Sequence, residues 1–341
     1  KYIFQPNTLN FWGYLFYEKY YSSNHELRNY STSSNDTLDP WFITGFADAE
    51  SSFSVSCYKN NKLKIGWELQ PAFSIGLHLK DLGLLLKIKN FFNEVGRIKI
   101  DRLNNKVQYT VTRIKDLNTI IIPHFKEYQL MTQKRADFIL FNSIIDKIIK
   151  KEHLTMVGFC EILAIKSQLN LGLTPELLEI LHKNQVESPL KREIIEVTDQ
   201  RLNPYWVAGF VSGDGSFNVS LGKDPRNTIG FRVDSRFSVG LNSRDANLIE
   251  NLAKFFNCGV IFTSQNRPVI HFTVGKLEDL TNVILPFFNN YPVLRKRRIK
   301  SLDFFDFCRI ISLVKNKEHL TENGIKKIHE IVLNMNQRRT P

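Results

Sequence analysis

Two carboxylates stand out by what precedes them. Glu50 ends the apolar stretch of ITGFADAES (residues 43–51), and Asp214 ends that of VAGFVSGDG (residues 207–215), 164 residues further on. Each stretch carries a pair of small residues four apart, Gly45 with Ala49 and Gly209 with Gly213. Residues four apart share one helical face, and small ones let two backbones approach closely, so these four are expected at an interface between two helices. The same packing would bring Glu50 and Asp214 together. A carboxylate in a last helical turn faces the negative end of the helix dipole, and a second one beside it adds repulsion. A divalent cation removes both penalties, and all-oxygen ligands suit Mg²⁺ rather than zinc. The four cysteines form no CxxC pair and the eight histidines no HxxxH pattern, which leaves structural zinc, transition-metal chemistry and a disulfide framework without support.

The elements that must position these acids are written twice. FSIGLHLKD from Phe73 matches FSVGLNSRD from Phe237 at the same offset of 164, and KEHLTMVG from Lys151 matches KEHLTENG from Lys317 at 166. Agreement over the whole length is a duplication. Within each half the periods predict helix, two strands, helix, two strands, helix, an α+β architecture. After Glu50, Phe53, Val55 and Cys57 alternate with Ser54, Ser56 and Tyr58, and Trp67, Leu69, Phe73, Ile75 and Leu77 with Glu68, Gln70, Ala72, Ser74 and Gly76. A second hairpin is expected to bury Ile98, Ile100, Val107, Tyr109 and Val111 and to turn Arg97, Lys99, Asp101, Gln108, Thr110 and Thr112 the other way. Phe138, Phe141, Ile145 and Ile148, with Phe304, Phe307, Ile311 and Val314 in the second half, then mark a helix covering each sheet.

A chain of 341 residues has room for two such units. The expected division is an N-terminal extension (1–38), a first domain (39–170), a partly helical connection (171–203) and a second domain (204–341). No run of 18 apolar residues suggests a membrane span. Lys and Arg outnumber Asp and Glu by 46 to 34, a net charge of +12 that favours a polyanionic partner such as nucleic acid.

With both motifs, the shared offsets and the TQKRADF and KEHLT segments in view, the chain resembles a single-chain LAGLIDADG homing endonuclease of the kind encoded in fungal organelle introns. The resemblance runs from about Pro40 to about Gln337. It implies two pseudo-twofold-related αββαββα domains whose motif helices form the interface and whose saddle-shaped antiparallel sheets lie in the DNA major groove. It implies that Glu50 and Asp214 bind catalytic Mg²⁺, with Ca²⁺ or Mn²⁺ able to substitute, helped by the backbone carbonyls of Ala49 and Gly213. The groove-facing residues would then be Ser54, Ser56, Tyr58, Glu68, Gln70, Ser74, Arg97, Lys99, Gln108 and Thr110 in the first half. In the second they would be Asn218, Ser220, Arg232, Asp234, Arg236, Ser238, His271 and Thr273. Because these two sets differ, the target should be asymmetric, spanning about 20 base pairs.

The first motif departs from the family pattern in Glu50, where Asp is commoner, and in Ser51, which replaces the helix-ending Gly. Asp48 is faced by Ser212 in the second half and is assigned to capping or solvent. Lys134 and Lys300, 166 residues apart, stand where the family places a basic active-site residue. Their expected role is to offset charge at the reacting phosphate or to order the attacking water. Lys296 in LRKRRIK is the alternative register, and Arg295, Arg297 and Arg298 would hold phosphates. The reading is a monomeric, metal-dependent, site-specific double-strand DNA endonuclease. The alternative partner is group I intron RNA, folded by a maturase on the same scaffold; a DNA-binding regulator without catalysis would need neither acid. The Asn-, Lys- and Ile-rich composition, taken with the resemblance, suggests a mitochondrial origin.

Overall fold

The computed structural model describes residues 37–169, 172–184, 186, 192–195, 202–294 and 300–335, with backbone alone at 300 and 301. The chain divides into Lys1–Thr37 and Leu38–Pro341. Leu38, placed in the extension from sequence, is buried in the first core. The remainder of the extension up to residue 36 lies outside the described residues, as do Arg295, Lys296, Arg297 and Arg298.

Helix α1 (Pro40–Glu50) starts where the Asp39 side chain accepts a hydrogen bond from Trp41 N at 2.8 Å, with Pro40 in the first turn. Helix α7 (Pro204–Asp214) starts the same way on Asn203 and Pro204. An Asx cap satisfies an orphan amide, and proline at the first helical position has no amide to satisfy. The first half continues with β1 (Ser51–Lys59), β2 (Trp67–His78), α2 (Leu82–Phe91), β3 (Arg97–Asp101), β4 (Lys106–Val111), a short α3 (Ile122–Glu127), α4 (Lys134–Ile149) and α5 (Met156–Lys166). Helix α6 (Pro175–Lys183) lies in the connection and buries Leu177 against Phe159 and Leu163 of α5. The second half repeats the order with α7, β5 (Gly215–Lys223), β6 (Phe231–Asn242), α8 (Ala246–Phe256), β7 (Val260–Thr263), β8 (Val269–Val274), α9 (Leu285–Asn290), α10 (Lys300–Lys315) and α11 (Glu322–Leu333). Helices α3, α5, α9 and α11 add to the αββαββα plan. The KEHLT repeats start α5 and α11: Lys151 and Lys317 take the left-handed conformation, and Thr155 and Thr321 cap the helices that follow.

Each half forms a four-stranded antiparallel sheet, ordered β1-β2-β4-β3 and β5-β6-β8-β7. Registers match: Phe73 lies opposite Phe53 and Val111, as Phe237 lies opposite Phe217 and Val274. The dry faces form two aromatic cores. Phe53 meets Phe73, Phe125, Phe138 and Phe141 with ring centroids 5.3–5.4 Å apart; Phe217 holds the same place among Phe237, Phe288, Phe304 and Phe307. Such clusters supply both buried area and ring-edge attraction. Ile100, expected to be buried, is exposed on the edge strand β3, where the sheet has no neighbour to cover it.

Candidate functional site

Helices α1 and α7 touch backbone to backbone. A Cβ on Gly45 would fall on the carbonyl oxygen of Trp206, and one on Gly209 on the carbonyl oxygen of Phe42. Nearer the helix ends a Cβ on Gly213 would collide with the Ala49 Cβ and lie 3.2 Å from the Glu50 Cγ. The four small residues therefore set the separation at which Glu50 and Asp214 leave their helices side by side. Ser51 is tolerated in place of glycine because the bend after α1 needs no left-handed residue, with φ −89° at Ser51 and −75° at Gly215. What differs is the residue one turn back. A Cβ at Gly215 would strike Val211, whereas the matching place before Ser51 is Ala47, whose carbonyl accepts from Ser51 Oγ at 2.7 Å.

The Lys134 ammonium reaches this junction from the start of α4. Its Nζ donates to the Ala47 carbonyl at 2.9 Å. Burial holds it below the ordinary lysine range, against the opposing pull of Asp48, Asp214, Glu50 and Asp137. It thus stands in the field of both motif acids, one from each half. Lys300 begins α10 as Lys134 begins α4, and its side chain lies outside the described residues.

Asp48 is not in solvent. It is buried, and its carboxylate accepts from Met131 N (2.8 Å), Thr132 N (3.1 Å), Thr132 Oγ1 (2.7 Å) and, across the interface, Trp206 Nε1 (2.9 Å). Burial pushes its carboxyl upward against these donors. In the second half, among the described residues, Ser212 Oγ accepts from Leu294 N at 3.1 Å. The segment before Lys134 is fastened twice more. Gln133 N donates to Asp245 of the second half at 2.8 Å, and the Gln133 amide exchanges bonds with the Ile195 backbone. Arg192 also pairs with Asp137 and donates to the Gln133 carbonyl. Sequence reasoning missed Asp245 and Gln133, although Asp245 closes FSVGLNSRD as Asp81 closes FSIGLHLKD.

The expected groove residues share one face of each sheet. In the first, Tyr58 lies opposite Glu68, Ser56 opposite Gln70, Ser74 opposite Thr110, and Thr110 opposite Arg97, with Lys99 opposite Gln108. In the second, Asn218 lies opposite Arg236, Ser220 opposite Asp234, and Ser238 opposite Thr273. Arg232 and Asp234 are bound to each other at 2.6 Å, and Thr273 is buried, presenting little surface. The same face of the second sheet carries two residues that alternation of polar residues could not flag, Val260 and Phe262 on β7.

Among the described residues no three His, Cys, Asp or Glu side chains gather into a metal cluster. What the junction offers a cation is two carboxylates and the carbonyls of two last helical turns, hard oxygen donors that fit a divalent metal of the magnesium or calcium type. Two like four-stranded sheets, joined by helices that each end in an acid, define a two-domain α+β protein with one acid from each half at the junction. The family comparison agrees: the model for the LAGLIDADG endonuclease family matches residues 43–145 and 207–311, and the chain belongs to that family. It is 41% identical over 303 residues to the Neurospora crassa protein "Probable intron-encoded endonuclease 2", covering 86% of this chain and 64% of the relative. It is 35% identical over 311 residues to "Probable intron-encoded endonuclease 3" of the same fungus, covering 90% and 56%. The chain thus spans less than two thirds of the length of these curated relatives. Among solved structures it is similar to the I-SmaMI LAGLIDADG homing endonuclease bound to cleaved DNA, with a TM-score of 0.83 and 36% identity over 90% of this chain and 100% of that one. I-SmaMI has also been solved on an uncleaved target in the presence of calcium ions.

Proposed function

We propose that the chain is a site-specific double-strand DNA endonuclease that hydrolyses one phosphodiester bond in each strand of a long asymmetric duplex, acting as a monomer with Mg²⁺. The observation that supports this reading is the close approach of the helix ends, where a Cβ on Gly213 would collide with the Ala49 Cβ and lie 3.2 Å from the Glu50 Cγ, with the Lys134 ammonium in the field of both Glu50 and Asp214. Glu50, Asp214 and the carbonyls of Ala49 and Gly213 would hold the metal. When bound, a divalent cation supplies charge neutralisation for phosphodiester hydrolysis. Lys134, and Lys300 by the internal repeat, would add positive charge where the reacting phosphate becomes more anionic, a contribution that preorganised groups make at little reorganisation cost. The two halves, divided near 39–170 and 204–341, would each read one half-site with the sheet faces described above. Fungal intron-encoded relatives support a mitochondrial origin, and the relatives and structures reported above lend the RNA-folding alternative no support.

The test is cleavage of duplexes selected from a randomised library, with Mg²⁺ and after chelation. Glu50→Gln and Asp214→Asn should each abolish double-strand cleavage while leaving DNA affinity within about 10-fold, since phosphate contacts supply most of the binding energy. Full double-strand cutting by either variant would remove the metal assignment.

A further inference from the structure

The polar faces of the two sheets differ at the edge strands β3 and β7. In the first half the row that crosses from β2 to β4 to β3 is Gly76, Gln108 and Lys99. In the second it is Gly240, His271 and Phe262. Nothing lies within 4 Å of a Cβ built on Gly76, whereas one on Gly240 would meet His271 Nδ1 at 2.7 Å and Cε1 at 2.9 Å. The absent side chain is what lets the imidazole lie down on the sheet. Phe262 stacks on that ring at 4.9 Å between centroids and 16° between planes, and His271 Nε2 is tied to Ser264 Oγ at 3.1 Å. Phe262 is nevertheless 49% exposed, and Val260, two residues along the same strand and face, is 62% exposed. This is an apolar ledge with a fixed ring, standing in the row where the other half carries a lysine.

An exposed apolar edge strand is ordinarily a hazard, because it can pair with another chain. Here it is continuous with Ser238 and Arg236 on the polar face of the same sheet, which makes a nucleic-acid occupant the fitting one. In the major groove only thymine offers an apolar group, its 5-methyl, and phenylalanine is among the side chains that contact it. Residues two apart on a strand are separated by about 6.7 Å, close to two base steps of a duplex.

We propose that Phe262, held by His271 and flanked by Val260, reads thymine by contact with its 5-methyl group in the half-site facing the second sheet. The inference rests on the nuclease reading above and adds the base class that one strand recognises. His271 acts here by fixing the phenyl ring rather than by reading a base edge itself.

The test replaces thymine with uracil, one position at a time, in a duplex selected by the protein from a randomised library. Uracil pairs identically and lacks only the methyl. Competition binding in the presence of EDTA should show about a 4-fold loss at one thymine or at two spaced two steps apart, the worth of one buried methyl. Phe262→Ala should bind the thymine and uracil duplexes equally there, with methyl sensitivity elsewhere unchanged and only a small loss of thermal stability from the ring stacked on His271. His271→Ala should give a partial loss. A selected half-site with no thymine facing β7, wild-type indifference to every methyl in it, or methyl sensitivity that persists in Phe262→Ala would each overturn the inference. So would Phe262→Ala altering self-association while leaving discrimination intact. Failure to enrich any duplex would overturn the nuclease reading and this inference together, and is thereby told apart.

Discussion

Asp48→Asn tests whether the buried carboxylate under α1 positions Lys134. The substitution keeps the shape and turns one acceptor oxygen into an amide donor. One oxygen accepts from Thr132 N and Oγ1, the other from Met131 N and Trp206 Nε1. Whichever atom becomes nitrogen, it faces at least one N–H that cannot turn away. A buried donor left without an acceptor costs about 1–3 kcal/mol. Losing the charge weakens the remaining bonds, while the burial that pushes the carboxyl upward is relieved. The net expectation is a loss of about 2 kcal/mol, which in a body of this size lowers the melting temperature by about 4 °C. Lys134 follows Thr132 by two residues, and a displacement of about 1 Å at a reacting group costs roughly 10²-fold in rate. Thermal unfolding and single-turnover cleavage of a selected duplex measure the two effects. Wild-type values in both would refute the argument, and a lowered melting point with an unchanged rate would confine Asp48 to stability.

Lys134→Met should slow single-turnover cleavage by roughly 10²-fold with DNA affinity little changed; an unchanged rate would leave the lysine only its bond to the Ala47 carbonyl. His124 is buried, and desolvation holds it down to about 3, whereas the unfolded chain titrates near 6.5. Below ~6.5 the unfolded state therefore binds more protons than the native one. Stability present at neutral pH should fall by up to ~1.4 kcal/mol per pH unit on acidification, a slope that denaturant titrations at several pH values would show. His124→Phe should flatten that slope, because Phe287 already fills the matching place beside Phe255 and Phe256 and Thr44 keeps its bond to the Tyr128 carbonyl. Ala47→Val should destabilise by about 1–3 kcal/mol through overpacking against Ser51, and Ser51→Gly should relieve part of that loss, recreating the Val211 and Gly215 pair. Additive effects in a double-mutant cycle would refute the steric account.

The frame was legible wherever a residue's type is forced by its backbone or its face. Gly45 and Gly209 announced helices in contact, the alternation from Phe53 to Leu77 announced sheets, and the repeated offset joined the two acids. Ser51 looked like a defect only because its permission comes from Ala47, one turn earlier and on no recognised motif. The solvent alternative for Asp48 failed for a related reason: its partners Met131, Thr132 and Trp206 are remote in sequence, and Ser212 in the matching place argued against a shared role. The hydroxyl of Ser212 does share part of that role, accepting from Leu294 N. Phe262 was invisible because an apolar residue on a strand reads as core until the register shows which face it is on.

Comparison of the halves separates what the junction requires from what each sheet is free to choose. Gly45 of α1 and Gly209 of α7 must match because each makes room for the other helix's backbone, and a change in one helix is felt at both acids. Asp245 extends the same coupling, since a residue of the second half fixes the segment that presents Lys134 from the first. Away from the junction no such constraint operates. Gly76 and Gly240 lie at equivalent positions, yet one opens beside Gln108 and Lys99 and the other is roofed by His271 and Phe262. On their open faces the edge strands β3 and β7 carry side chains remote from the α1–α7 contact. The open-face side chains of β3 and β7 can therefore differ in charge and polarity without moving Glu50, Asp214 or Lys134, which on the proposed reading would let one centre serve two half-sites of different sequence.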